Sequence, residues 1–402
     1  MLTHLLIYSI LGVTVSFLLL CAFCPLIYWA SYFKVFGEVL DGTWFPKKSR
    51  RKLTRYLRRD LLLAPLKSIL WLVDETLYRR RLNSVQLEPP VFIISQPRSG
   101  STFLHRVMAE DEENFFAITY FEWKYPYMFL WWLIDKLGLR SRIYRKNYWS
   151  NDSVGFTASK MHQHLYGDYE EHGIFLEEMF YHHYFVFRRF PFSAILNDVD
   201  FNTLSKLDQE RIVRTFVRVV SKVALYRGKK RIWVTKENES VAFYRCLLKV
   251  FPEARVVFLV RNPKPMLKSY LSLSLYSTLA KTGVNMAENL VWHTLWRRAN
   301  IEFRRRECAK FLQLYEELKS NPRAVLLGYK NLIGSVYGSV SSIYSRFGLS
   351  IPEEQRIRLA DLTIKQHSRN REYETGSLAT TDLIGFEDYS KLVEKVNEST
   401  LR

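Results

Sequence analysis

The sequence predicts an α/β fold, with a central, mainly parallel β-sheet flanked by helices and preceded by an N-terminal transmembrane helix. Three observations predict it. At Pro90–Arg106, PVFIISQPRSGSTFLHR, a β-branched apolar run (Val91–Ile94) enters a turn that opens directly into a helical segment. A second strand, turn and helix recur at Ala254–Ser274, read as ARVVFLV, RNPKP and MLKSYLSLS. Other strand-like and helical stretches alternate around these two, which implies right-handed crossovers and a sheet covered on both faces.

The elements follow in order. From Leu5 to Phe33 no residue is charged. The run exceeds the roughly 20 residues that cross a hydrocarbon layer, so one spanning helix is expected, with Tyr28, Trp29 and Tyr32 near an interface. A cleaved signal peptide fits less well, because the apolar run is longer than the ~7–15 residues of a typical signal and lacks a positive leading region. Residues 47–59, KKSRRKLTRYLRR, hold eight basic residues and no acid. By the positive-inside rule this collar places the rest of the chain in the cytoplasm, with the Golgi lumen as the alternative, and it would bind anionic headgroups. Leu61–Val73 is too short to span and is expected to lie along the interface or pack into the core. The chain therefore divides into an anchor (1–34), a basic juxtamembrane segment (35–88) and a globular domain (89–402).

After the first strand and turn, a helix is expected to about Glu110 and a second strand at Phe115–Thr119. The aromatic stretch 121–139, FEWKYPYMFLWWLIDKLGL, carries Lys124 and Asp135 inside a short apolar run, so it reads as a hydrophobic lid or a groove for a second substrate. Residues 140–200 read as helices with loops, Leu204–Tyr226 as a helix and Arg231–Thr235 as a strand. Asn285–Ser320 reads as one long helix, Arg323–Leu327 as a strand and Leu332–Phe347 as a helix ending at Gly348. From Gln366 the chain is polar and irregular, apart from a short helix near Asp388–Val396.

With 402 residues, 48% of them hydrophobic, the chain can bury a substantial core. A net charge of +19 fits anionic partners: nucleotide phosphates, lipid headgroups or nucleic acid. Cys21 and Cys24 lie in the apolar N-terminal run, which leaves Cys246 and Cys308 for at most one disulfide and favours a reducing compartment.

The turn at Gln96–Gly100 has the chemistry of a phosphate cradle. A helix start offers unpaired N–H groups and a partial positive charge, Gly100 allows close backbone approach, and Arg98, Ser99, Ser101 and Thr102 add donors. A triphosphate-binding P-loop would need Gly-x-x-x-x-Gly-Lys-Ser/Thr, but Ser95 stands at its first Gly and Ser101 at its Lys.

QPRSGST, together with VFLVRNPKPMLKSYLSL, instead resembles the PAPS-dependent sulfotransferases, in the branch whose loop reads Pro-Arg-Ser-Gly-Thr-Thr. The resemblance runs over roughly residues 89–375, through FEWKYP, YGDYEEHGIFLEEM, WVTKENES, GYKNLIGSVYGSVSSIYSRFGL and QHSRNREY in the family's order. It implies a P-loop-like core and sulfuryl transfer from 3′-phosphoadenosine-5′-phosphosulfate (PAPS) to a hydroxyl. It also implies that Arg98, with the backbone of Ser99, Gly100, Ser101 and Thr102, holds the 5′-phosphosulfate, while Arg261 and Ser269 hold the 3′-phosphate. Glu122 matches the family's base, with His164 and His172 as competitors, and Lys236 would face the sulfate or the leaving phosphate. The family usually has Pro two residues after this Lys, where Asn238 stands here.

Sulfuryl transfer builds charge on oxygens and is served by positioned donors and cations, so no metal is expected. His162, His164 and His172 have no known metal-site spacing. Nucleic acid is not an expected partner. The anchor, the basic collar and the Trp-rich segment favour a lipid or amphiphilic acceptor. The alternatives are a Golgi-lumenal carbohydrate sulfotransferase, for which Asn151, Asn238 and Asn397 offer glycosylation sequons, and a non-catalytic nucleotide- or polyanion-binding membrane protein.

Overall fold

Strand β1 (Val91–Ser95) runs through the middle of a five-stranded sheet, and all five of its residues are buried. A computed structural model of the chain describes residues 2–22, 24–41, 47–148, 164–181, 201–228, 232–238, 240–367 and 378–399. The other strands are β2 (Phe115–Phe116), β3 (Ile232–Glu237), β4 (Arg255–Val260) and β5 (Ala324–Gly328), in the order β2-β3-β1-β4-β5. Every neighbouring pair is parallel, with Val91 opposite both Val234 and Arg255. Alternate side chains feed two cores. Phe92, Ile94, Trp233 and Phe258 enter one, and Val91, Ile93, Val234 and Leu259 enter the other. A strand buried on both faces must be apolar throughout, which is why β1 and β4 read as unbroken hydrophobic runs.

Because β1 has β3 on one side and β4 on the other, the loops leaving β1 and β4 open onto one crevice at the carboxyl edge of the sheet. β1 leads into the helix Ser101–Ala109. β4 leads into the helix Pro263–Thr282, capped by the Asn262 side chain, begun by Pro263 and ended by Gly283 at φ 74°. The second strand is shorter than expected, and the helix expected over Leu332–Phe347 is two helices, Tyr329–Gly334 and Val336–Arg346. Ser335 breaks it by taking an extended conformation and capping the second helix through its hydroxyl. Residues 149–163, 182–200 and 368–377 lie outside the described residues, and with them Asn151, His162 and most of QHSRNREY.

The N-terminal run does not form the expected uninterrupted span. One helix covers Leu2–Ala22 and a second Trp29–Asp41. Pro25 sits between them, with no N–H to continue a helix, and Cys24 N closes a turn on Cys21 O at 3.1 Å. Tyr28 N donates to Met179 O at 2.8 Å, and the buried Tyr32 hydroxyl donates to Leu57 O at 2.9 Å. Among the described residues no helix is long and apolar enough to cross a membrane. Lys47–Leu77 forms one helix through Pro65, and Ser68 Oγ ties it to Leu20 O at 2.6 Å. Residues from all three expected segments, such as Tyr32, Leu57 and Phe121, share one core. The four cysteines are free.

Candidate active site

Two residues of the turn after β1 adopt left-handed backbone, Arg98 at φ 61° and Gly100 at φ 89°. Gly100 is required twice over, because a Cβ there would also lie 2.9 Å from the Tyr329 ring. For Arg98 the left-handed region costs about 1–2 kcal/mol, so contacts must hold it there. Its Nε donates to Ser269 Oγ at 2.9 Å, and its carbonyl accepts a hydrogen bond from the Arg261 guanidinium. Arg261 in turn lies 4.2 Å over the Tyr329 ring. The loop after β1, the end of β4 and the helix that follows β4 therefore meet at one point. The predicted 5′ and 3′ anion sites share a wall, with two guanidiniums, two buried serines (Ser99 and Ser101) and the start of a nine-residue helix around it.

The end of β3 makes the second wall. Asn238 Oδ1 accepts from Ser95 Oγ at 2.7 Å and from Ser101 Oγ at 2.8 Å. Asn238 Nδ2 donates to Glu171 Oε2 at 2.9 Å, and Lys236 Nζ donates to the same oxygen at 2.5 Å. The backbone N–H of Asn238 donates to Glu237 Oε1 at 2.8 Å. Buried Arg304 adds bonds to Asn238 O at 3.0 Å and Gln96 Oε1 at 3.3 Å. The residue that departs from the family's usual Pro thus clamps β3 to the loop, a task Pro has neither amide nor N–H to perform. Through Glu171, which both side chains bond, it also links Lys236 to the cradle.

Glu122 sits in a neighbouring network. It closes a capping box on the helix Tyr120–Lys124, and its Oε2 accepts from Thr119 N at 2.8 Å, Thr119 Oγ1 at 2.9 Å and Arg227 at 2.7 Å. His164 packs against Tyr120 and Tyr148, with Nε2 3.5 Å from Glu170 Oε2. Glu170 pairs with Arg106, on the helix that opens the cradle, at 2.8 Å. His172 instead faces Thr235 Oγ1 at 3.0 Å among Phe216, Phe243 and Tyr244. The structure therefore gathers Arg98, Arg261 and Ser269 directly and Lys236 through Glu171 and Asn238. It places Glu122 and His164 on the flank formed where Thr119 pairs with Tyr169. Sequence reasoning missed Glu171, Arg304 and Tyr329. Glu171 stood within the acidic stretch YGDYEEHG but could not be told from Glu170 beside it.

The turn after β1, the end of β4 and the helix that follows it gather guanidinium and hydroxyl donors at the carboxyl edge of a parallel sheet, where folds of this kind bind their ligands. The Sulfotransferase family model matches residues 89–353, more than half of the chain, and the chain belongs to that family: it is a sulfotransferase. Two solved structures share the fold. Sulfotransferase STF1 from Mycobacterium tuberculosis H37Rv is 17% identical with a TM-score of 0.61, over 91% of this chain and 91% of that one. Sulfotransferase STF9 from Mycobacterium avium is 15% identical with a TM-score of 0.65, over 89% and 88%. No curated protein sequence matches the chain.

Proposed function

We propose that the enzyme transfers a sulfuryl group from PAPS to a hydroxyl of a lipid or other amphiphilic acceptor at a membrane surface. The observation that carries the donor assignment is the junction of Arg98, Ser269 and Arg261, which brings two guanidiniums and a hydroxyl together beside the start of the helix Ser101–Ala109. When bound, the donor supplies a sulfuryl group joined to a phosphate, the leaving group. Arg98 and the N–H groups of Ser99–Thr102 hold its 5′ end, and Arg261 with Ser269 holds the 3′-phosphate. Lys236, released from Glu171, neutralises charge on the leaving phosphate. The proton of the acceptor hydroxyl passes to a carboxylate. The resemblance favours Glu122, and the contact geometry favours Glu171, which touches Lys236 and the clamp that grips Ser101.

Membrane association is proposed through the basic collar, whose lysines and arginines would meet the anionic headgroups of a cytoplasmic membrane face. What supports a membrane surface is one face of the helix Lys47–Leu77. Beyond the collar it exposes Leu62 (69%), Leu66 (50%), Ile69 (44%) and Leu72 (54%), three to four residues apart. The test uses purified full-length protein, sulfur-labelled PAPS and a total lipid extract. Label is expected in an extractable lipid. Binding of adenosine 3′,5′-bisphosphate with no transfer would reduce the enzyme to a nucleotide-binding protein for these acceptors.

A further inference from the structure

At the far end of the helix Pro263–Thr282, the Lys281 ammonium lies 3.7 Å over the Tyr148 ring. Among the described residues no carboxylate pairs with it. Tyr148 packs edge-on against Tyr120 at 5.0 Å between centroids, and Lys124 lies over the Tyr120 ring at 5.6 Å. From the basic collar, Lys52 Nζ reaches the carbonyl of Ala280, the residue before Lys281, at 2.9 Å. Lys281 over Tyr148 and Lys124 over Tyr120 therefore flank one aromatic pair, with Lys52 beside Lys281 and Glu178 2.6 Å from Lys124. Burial pushes the Lys281 ammonium well below its ordinary pKa, and the charges of Lys124 and Lys52 push it further.

The position fits the second substrate. Tyr120 belongs to the same short helix as Glu122, and His164 packs on both Tyr120 and Tyr148. Lys281 lies twelve positions beyond Ser269 on one helix, about 18 Å along its axis. An acceptor touching Lys281 while offering its hydroxyl at the donor site must therefore be extended, with the anion and the hydroxyl on different parts of it. Lys52 lies in the second turn of the helix Lys47–Leu77, whose later turns expose the apolar face, so one helix carries both cationic and apolar surfaces, as an anionic amphiphile would need.

We propose that Lys281, with Lys124 and Lys52, forms an anion-recognition subsite for the acceptor, and that the acceptor is an amphiphile carrying a phosphate or carboxylate besides its reacting hydroxyl. The proposal rests on the sulfuryl-transfer reading above.

The test titrates full-length protein in neutral detergent with palmitoyl-lysophosphatidylglycerol, with the matched neutral monoacylglycerol and with inorganic phosphate. Wild type should bind the lysophospholipid about tenfold more tightly than the neutral lipid. Lys281→Met should erase that preference, Lys281→Arg should restore it, and adenosine 3′,5′-bisphosphate binding should be unchanged in both. Should Lys281→Met fail to fold, Lys281→Gln carries the same expectation. Equal binding of the two lipids by wild type, or a preference that survives the loss of the ammonium, overturns the proposal. Inorganic phosphate binding as tightly as the lysophospholipid overturns the acceptor assignment. Failure of the wild type to bind the bisphosphate would instead count against the donor reading.

Discussion

Glu171 and Lys236 form a buried ion pair, 5% and 1% exposed, and the pair is bonded to the clamp that holds the cradle. Removing one partner of such a pair leaves an uncompensated charge in a dry site, at a cost of about 3–5 kcal/mol, whereas removing both is often close to neutral. Glu171→Gln keeps the side-chain shape and an acceptor for Asn238 but deletes the counter-charge of Lys236. Lys236→Met deletes the ammonium and leaves Glu171 with Asn238 alone. Each single variant should lose about 3 kcal/mol of stability in urea unfolding, and the double variant should lose less than the sum by about 2 kcal/mol. Turnover should fall by at least about 10²-fold in all three, because the cation proposed to meet the leaving phosphate is lost or misplaced. Additive losses of stability would mean that the pair is not coupled, and the account of the second wall would be wrong.

Glu122→Gln should leave adenosine 3′,5′-bisphosphate binding intact; if Glu122 is the base, turnover drops about 10²–10⁴-fold, and if turnover is retained the role passes to Glu171. Gly100→Ala should weaken donor binding and lower stability, since it strains a φ of 89° and drives a methyl to 2.9 Å from Tyr329, and a variant with wild-type melting and affinity would contradict the close approach. His105, buried on the first helix of the cradle, is held down to about 3 from 6.5, first by burial and then by the charge of Lys236. The unfolded chain binds its proton before the folded one does, so stability should fall as pH drops from about 6.5 toward 3, by on the order of 3 kcal/mol at pH 4. His105→Gln should flatten that slope, and an unchanged slope would show that His105 does not control it.

The two strand–turn–helix units were legible because strands buried on both faces must be apolar and because Gly and Pro mark their turns. The N-terminal break was less so. A charge-free run looks the same whether it meets lipid or packs on protein, and Pro25 was the mark that outweighed its length. Thr119 and Glu122 carried the spacing of a capping box, a structural signal in the same residues that resemblance assigned to catalysis. Glu171 was illegible because its partner is 65 residues away and only the fold brings them together. Asn238 was visible as a departure from the family pattern, and its use became clear once Ser95, Ser101 and Glu171 surrounded it.

The central claim is that one junction of Arg98, Ser269 and Arg261 binds both ends of a doubly phosphorylated nucleotide. Calorimetric titration of wild type and Arg261→Ala with adenosine 3′,5′-bisphosphate and with adenosine 5′-monophosphate tests it most directly. Wild type should prefer the bisphosphate by at least about tenfold, and Arg261→Ala should lose that preference while still binding both weakly. A wild type that binds the two nucleotides equally, or an Arg261→Ala variant that keeps the preference, would contradict the account.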